Sequence, residues 1–212
     1  MGKIIGFVSL LCAYALCFSQ AKPYDAARLF SIEEQQKDFQ FIRSKLEKSH
    51  VDLYFYTPKP VFDAFMDSLY NSITKPATSA QFYHLITLLN SKIKDGHTMF
   101  LPDEAATDYF NEKGKFLPLF VLVDKNRMYV NMNCSLDTAL YEGAEILNIN
   151  NVTTANLTEQ LIARQIRDGY SLTYPGWILS HYFKEYYSFS FGHPDSFIIT
   201  FKNKQNLEQT IT

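Results

Sequence analysis

An α+β fold is predicted for this chain of 212 residues, with helices first and a β-rich part after. Three features point to it. Apolar residues up to Ile93 recur at helical spacing. From Phe116 onward, apolar β-prone runs alternate with turn residues. The change falls across one short stretch, Asp95-Gly96-His97-Thr98.

The helical part is read in order. Ser31-Ile32-Glu33-Glu34 has the form of a capping box, in which a hydroxyl and a glutamate satisfy the first free amides of a helix. Phe39, Ile42 and Leu46 keep helical spacing behind it, as far as Ser49. Residues 50–60 break that helix, and Pro60 suits the first turn of the next. Phe62, Phe65, Met66, Leu69 and Ile73 then form one apolar stripe, closed by Lys75-Pro76. Thr78 and Gln81 make a second capping box. Phe82, Leu85, Ile86, Leu89 and Ile93 follow at i, i+3, i+4, i+7 and i+11. Gly96 is expected at the left-handed position past this helix, since it has no Cβ to clash. His97 would then stand at the carbonyl end of the helix dipole, which favours a protonated imidazole.

Residues 102–115 are polar and are expected to form a loop. Phe116 to Val123 and Met128 to Met132 flank Asp124-Lys125-Asn126 as a hairpin, with Pro118 near the strand start or on a sheet edge because it lacks a donor. Residues 143–151 read as turn, short strand, turn. Helices are expected over 155–166 and 175–187, and a hairpin over 196–201 and 207–211. The tract Tyr182-Phe183-Lys184-Glu185-Tyr186-Tyr187 reads as a packed helix face rather than a ligand platform.

Bulk properties exclude several roles. The net charge of −2 and the lack of a basic stripe argue against nucleic-acid binding. Residues 1–21 read as a secretory signal peptide, with Lys3, an apolar core from Ile4 to Phe18, and small Ser19 and Ala21 before the cleavage point. A membrane anchor is the rival reading, but the apolar run falls short of the ~20 residues a spanning helix needs. A lipid anchor on Cys12 or Cys17 is disfavoured because neither follows a small residue. The expectation is therefore an exported protein of the periplasm or cell envelope, with no stable membrane span after cleavage. Cys134 would remain as the lone thiol, so neither an internal disulfide nor a cysteine zinc site can form. His50, His84, His181 and His193 show no metal-ligand spacing, and no cofactor is expected.

Asp95-Gly96-His97-Thr98 after an amphipathic helix resembles the histidine motif of the tail-specific (C-terminal processing) serine peptidases. It is most similar to the tricorn-core-like branch, which uses histidine as its base. The stretch Gly-Ala-Glu-Ile-Leu-Asn-Ile-Asn-Asn at 143–151 is similar to Gly-Asp-Glu-Ile-Leu-x-Ile-Asn-Gly in the PDZ-like domain of those enzymes. Ala144 stands for the usual Asp and Asn151 for the usual Gly, and Asn also tolerates a left-handed turn. His50-Val51-Asp52-Leu53-Tyr54 resembles the front of exported bacterial members.

The resemblance implies a helical subdomain over 22–115 and a PDZ-like domain, truncated, over 116–212. On that resemblance, the α/β domain that carries the nucleophile is expected to be absent from this chain. It implies a serine-type endopeptidase acting on polypeptides, with His97 as the catalytic base. Ser171, Ser180, Ser188 and Ser190 lie outside any Gly-rich strand-to-helix turn, so the chain is expected to be inactive alone. The PDZ-like part would offer a strand edge to an extended peptide. The alternative is a non-catalytic peptide- or lipid-binding module on the same scaffold. Taken without the resemblance, His97 reads as a surface histidine at a helix end.

Overall fold

Residues 24–212 are described by a computed structural model, and the expected signal peptide lies outside the described residues. Both capping boxes form. Ser31 and Glu34 open α1 (Ile32–Ser49), and Thr78 and Gln81 open α3 (Ser79–Ile86). Between them runs α2 (Lys59–Ser72), with Pro60 in its first turn, where a missing amide costs nothing. The chain continues from α3 through a tight 3₁₀ turn, Thr87–Leu89, into the short α4 (Asn90–Ile93). Phe39, Leu46, Phe62, Met66, Leu89 and Ile93 meet in one apolar core. Each such side chain contributes about 1.5–3 kcal/mol on burial. Arg43 of α1 adds a polar clamp across the helix pair, reaching Asp67 at 2.6 Å and Asp63 at 3.3 Å of α2.

One expectation is corrected. The segment 102–115 is not a loop: it contains α5 (Glu104–Lys113), capped by Asp103, whose carboxylate accepts from the amides of Ala105 and Ala106. Only Ala106 of this helix is buried, so its composition shows no apolar stripe.

The second half is an antiparallel six-stranded sheet with two helices. Strands β1 (Leu119–Asp124) and β2 (Arg127–Asn133) form the expected hairpin, turning at Lys125 with φ of 54°. β3 (Glu145–Ile149) and β4 (Val152–Thr153) turn at Asn150 and Asn151, whose φ values are 49° and 64°. Asn151 thus does hold a left-handed position. Next come α6 (Thr154–Ala163), α7 (Thr173–Phe191), β5 (Ile199–Lys202) and β6 (Glu208–Ile211). The sheet order is β1-β2-β3-β5-β6, with β4 on β3. Its inner face, including Val121, Ile146, Ile149 and Phe201, packs on Leu157 and Leu161 of α6 and on Leu179 and Phe183 of α7. Phe183 and Tyr187 bury their rings there, as a packed face would. Tyr182 breaks the regular geometry of α7 with φ of −129°.

The strand edge beside a helix is partly occupied. Val123 N–H of β1 donates to Ser180 Oγ of α7 at 3.0 Å, and Ser180 Oγ in turn donates to Gly176 O. An added peptide strand would have to displace that bond. Cys134 lies just past β2 and is exposed. No helix among the described residues is long and apolar enough to cross a membrane.

A polar joint connects the helical part to the sheet part. Asn90 Nδ2 donates to Arg164 O at 2.8 Å, just past α6. The Arg164 guanidinium lies 2.7 Å from His84 Nε2. A guanidinium has no lone pair to offer, so His84 must be neutral and accept there. Burial, reinforced by the Arg164 charge, pushes the His84 pKa down from 6.5 to about 4. The unfolded chain therefore binds a proton that the native chain refuses between those values. The joint's stability is fully present above pH 6.5 and is lost as the pH falls towards about 4. Urea denaturation from about pH 7 to about pH 4 should show the midpoint falling on acidification, with His84→Gln flattening that dependence.

Candidate functional site

His97 stands on a turn that two distant segments hold in place. α4 ends at Lys94, whose φ of 55° and ψ of 37° are left-handed. Lys94, not Gly96, therefore occupies the position expected for the glycine. A lysine is tolerated there because the surroundings fix it. Its carbonyl accepts from Gly169 N–H at 2.9 Å, and its ammonium lies 3.7 Å from the centre of the Tyr170 ring.

Gly96 has a different task. Its N–H donates to Asp168 Oδ1 at 3.0 Å, and a Cβ on Gly96 would stand only 2.8 Å from that oxygen. Glycine here is favoured by the close approach of a carboxylate, which a Cβ would push aside, and not by its φ. Asp95 closes the turn on the other side. Its Oδ1 accepts from His97 N–H at 3.0 Å and its Oδ2 from Thr98 Oγ at 2.7 Å.

This geometry leaves the His97 side chain 92% exposed, with Nδ1 3.5 Å from Asp95 Oδ1. The imidazole faces solvent instead of packed hydrocarbon. Behind it lies a second histidine that sequence reasoning did not assign to the site. His50 follows the last turn of α1, its side chain is only 10% exposed, and its Nε2 lies 3.1 Å from Asp95 Oδ2. The contact is short in distance but poorly angled, and neither ring nitrogen has an aligned hydrogen-bond partner among the described residues. Burial pushes the Asp95 carboxyl up. Hydrogen bonds from Thr98 and His97 N–H, with the His50 charge, outweigh that and hold it below the usual carboxylate range. Asp95 is therefore an anion at neutral pH.

Asp168 completes the cluster. Donor atoms of Asp95, His97 and Asp168 lie within 4.8 Å of one another, so this is where a metal could be held. Nothing in the sequence pointed to Asp168, since it lies 72 residues from Gly96. Downstream of His97, exposed Met99 and Leu101 form a groove of about 370 Å³ with Tyr174, Ile178 and Tyr182 of α7.

Comparison with known proteins gives a fold likeness. No protein-family model matches the chain, and no curated protein matches it. Among solved structures, it is similar to mature CPAF, a Chlamydia serine peptidase, with a TM-score of 0.50 and 11% identity over 85% of this chain. CPAF complexed with lactacystin gives 0.51 at 12% identity, and a CPAF variant with serine changed to alanine gives 0.52 at 12%. The chain spans about a third of the length of these structures, 33–34%. At such identity the likeness concerns the fold.

The contact at Gly96 is testable. Gly96→Ala should force Asp168 away and cost about 1 kcal/mol, the size of one partly exposed hydrogen bond. The same substitution in an Asp168→Ala background should cost almost nothing further. Thermal denaturation of the double-mutant cycle measures the difference.

Proposed function

We propose that this chain supplies the general-base part of an exported serine-type peptidase acting on polypeptides. The observation that carries the reading is His97, an exposed imidazole on a turn pinned from both sides, with the Asp95 carboxylate 3.5 Å from Nδ1. The similarity of fold to a serine peptidase supports it.

With Nδ1 turned towards Asp95, Nε2 is left to the reaction. It takes the proton of a serine hydroxyl as that oxygen attacks a peptide carbonyl, and it returns the proton to the leaving amine. Asp95, held anionic by its hydrogen bonds, stabilises the imidazolium formed between these steps. The groove from Met99 to Tyr182, apolar and aromatic, suits an unfolded chain segment running past His97. The serine belongs, on this reading, to polypeptide outside the 212 residues. Ser180 is committed to Val123 and Gly176, Ser188 is buried in α7, and Ser171 Oγ accepts from Thr173 N–H. Residues 116–212 are read as a PDZ-like domain that positions substrate.

A second reading, a non-catalytic module for lipids or peptides, is favoured by one observation. An apolar pocket of about 210 Å³, lined by Tyr24, Phe30, Phe82, Ile86 and Phe110, lies in the helical part. The two readings part at hydrolysis. Turnover of an unstructured polypeptide by the full gene product should fall by roughly 10³-fold or more in His97→Ala, with folding unchanged. The chain of 212 residues alone should show no turnover above its own His97→Ala control. Full activity of the His97→Ala gene product would overturn the base assignment.

A further inference from the structure

We propose that the groove between the segment after His97 and α7 binds a cationic side chain of a polypeptide, lysine or arginine, with the Glu185 carboxylate as its charge partner. The groove holds about 370 Å³, within the size range of small-ligand sites. Tyr174, Ile178, Tyr182, Glu185 and Phe189 of α7 all line it. They fall at i, i+4, i+8, i+11 and i+15, which is one face of a helix.

Two residues of the lining carry acceptors that lack donors. Glu185 Oε2 is buried with no hydrogen-bond partner among the described residues. Its Oε1 lies 3.7 Å from Lys184 Nζ, beyond hydrogen-bond reach, and that ammonium sits over the rings of Phe116 and Phe120 instead. Asn90 is only 4% exposed, and its Oδ1 is likewise buried without a donor. The other end of the Asn90 amide sets its orientation, since Nδ2 donates to Arg164 O. Buried acceptors are costly until a donor reaches them. A cationic N–H is the donor that gains most from a carboxylate.

The walls suit a cation as well. Tyr174, Tyr182, Tyr186 and Phe189 surround the space with aromatic rings, whose faces attract an ammonium or a guanidinium. Burial pushes the Tyr186 hydroxyl up, and Tyr174, Tyr182 and Glu185 push it further the same way, so these four groups lie close together. Glu185 is the one acidic residue of the lining and Arg164 the one basic residue. Arg164 turns its guanidinium elsewhere. Its Nε donates to His84 O at 3.4 Å, its Nη1 to Gln160 O at 2.6 Å, and its Nη2 lies 2.7 Å from His84 Nε2. Neither Gln160 nor His84 lines the groove.

The groove begins at Met99, two residues after His97. A polypeptide held by a basic residue at Glu185 would therefore be presented beside the His97 turn, and cleavage near lysine or arginine follows. That consequence rests on the peptidase reading, whereas the binding itself does not.

Calorimetric titration of the chain with short Gly/Ser peptides, blocked at both ends, tests the site without any hydrolysis. The peptides differ in one central residue, which is lysine, norleucine or glutamate. The lysine peptide should bind about 10-fold tighter than the norleucine peptide at low salt, and molar salt should shrink that advantage. Glu185→Gln keeps the side-chain size but removes the charge, and should abolish most of the advantage. Tyr182→Leu keeps an apolar wall but removes the ring, and should reduce it about 3-fold. His181→Ala, at an exposed position of the same helix, should leave it unchanged. Circular dichroism checks that each variant is folded, and the peptide comparison on the unaltered chain decides the matter if one is not. The proposal is overturned if the lysine peptide binds no tighter than the norleucine peptide, if the glutamate peptide binds tightest, or if folded Glu185→Gln keeps the full advantage. Each of these results leaves the base assignment of His97 standing, and failure of that assignment would leave the lysine preference in place.

Discussion

Two reciprocal hydrogen bonds hold the turn that carries the exposed His97 in position. Gly96 N–H donates to Asp168 Oδ1, and Gly169 N–H donates back to Lys94 O. Together they join the end of the helical part to the loop before α7. Each is of the order of 1 kcal/mol in net stability, which is small for a fold but large for a turn of four residues. The Lys94–Tyr170 contact reinforces the same junction, and the Tyr170 hydroxyl donates to Tyr56 O at 3.3 Å. A surface imidazole would otherwise sample many orientations, and this junction restricts the backbone that presents it.

The same junction explains why the site sits between the two halves of the fold. One core gathers α1, α2 and α4, and the other gathers the sheet with α6 and α7. Polar bonds join them along one seam, from Arg164 with His84 and Asn90 to Asp168 with Gly96. Polar joints of this kind, part-buried at Arg164 and exposed at Asp168, contribute little net energy but fix the relative placement of the groups they join. Asp95 lies at the end of that seam, between a buried histidine and an exposed one. Its negative charge is useful to either ring.

Much of the fold was legible in the sequence because local rules governed it. Capping boxes at Ser31 and Thr78, the stripe in α2, and the hairpin at Lys125 all rest on residues close in the chain, whereas the helix expected through Ile93 is interrupted by a 3₁₀ turn at Thr87–Leu89. Helix α5 escaped because it buries almost nothing, although Asp103 was a readable cap. His97 stood out through its motif, and the exposed position of its ring could not be read from the motif alone. Asp168 and His50 were not legible as site residues, since only tertiary contact brings them to Asp95. Gly96 was singled out for the wrong reason. Lys94, two residues before it, takes the left-handed conformation, and what Gly96 does is leave room for the carboxylate beside it.

Amide hydrogen exchange at Gly96 and Gly169 tests the pinned turn most directly. Both amides should exchange far more slowly than an unstructured peptide and at matched rates, and Asp168→Ala should release both together. Exchange of either amide at the unstructured rate in the unaltered protein would contradict the account, because His97 would then ride on a loose loop.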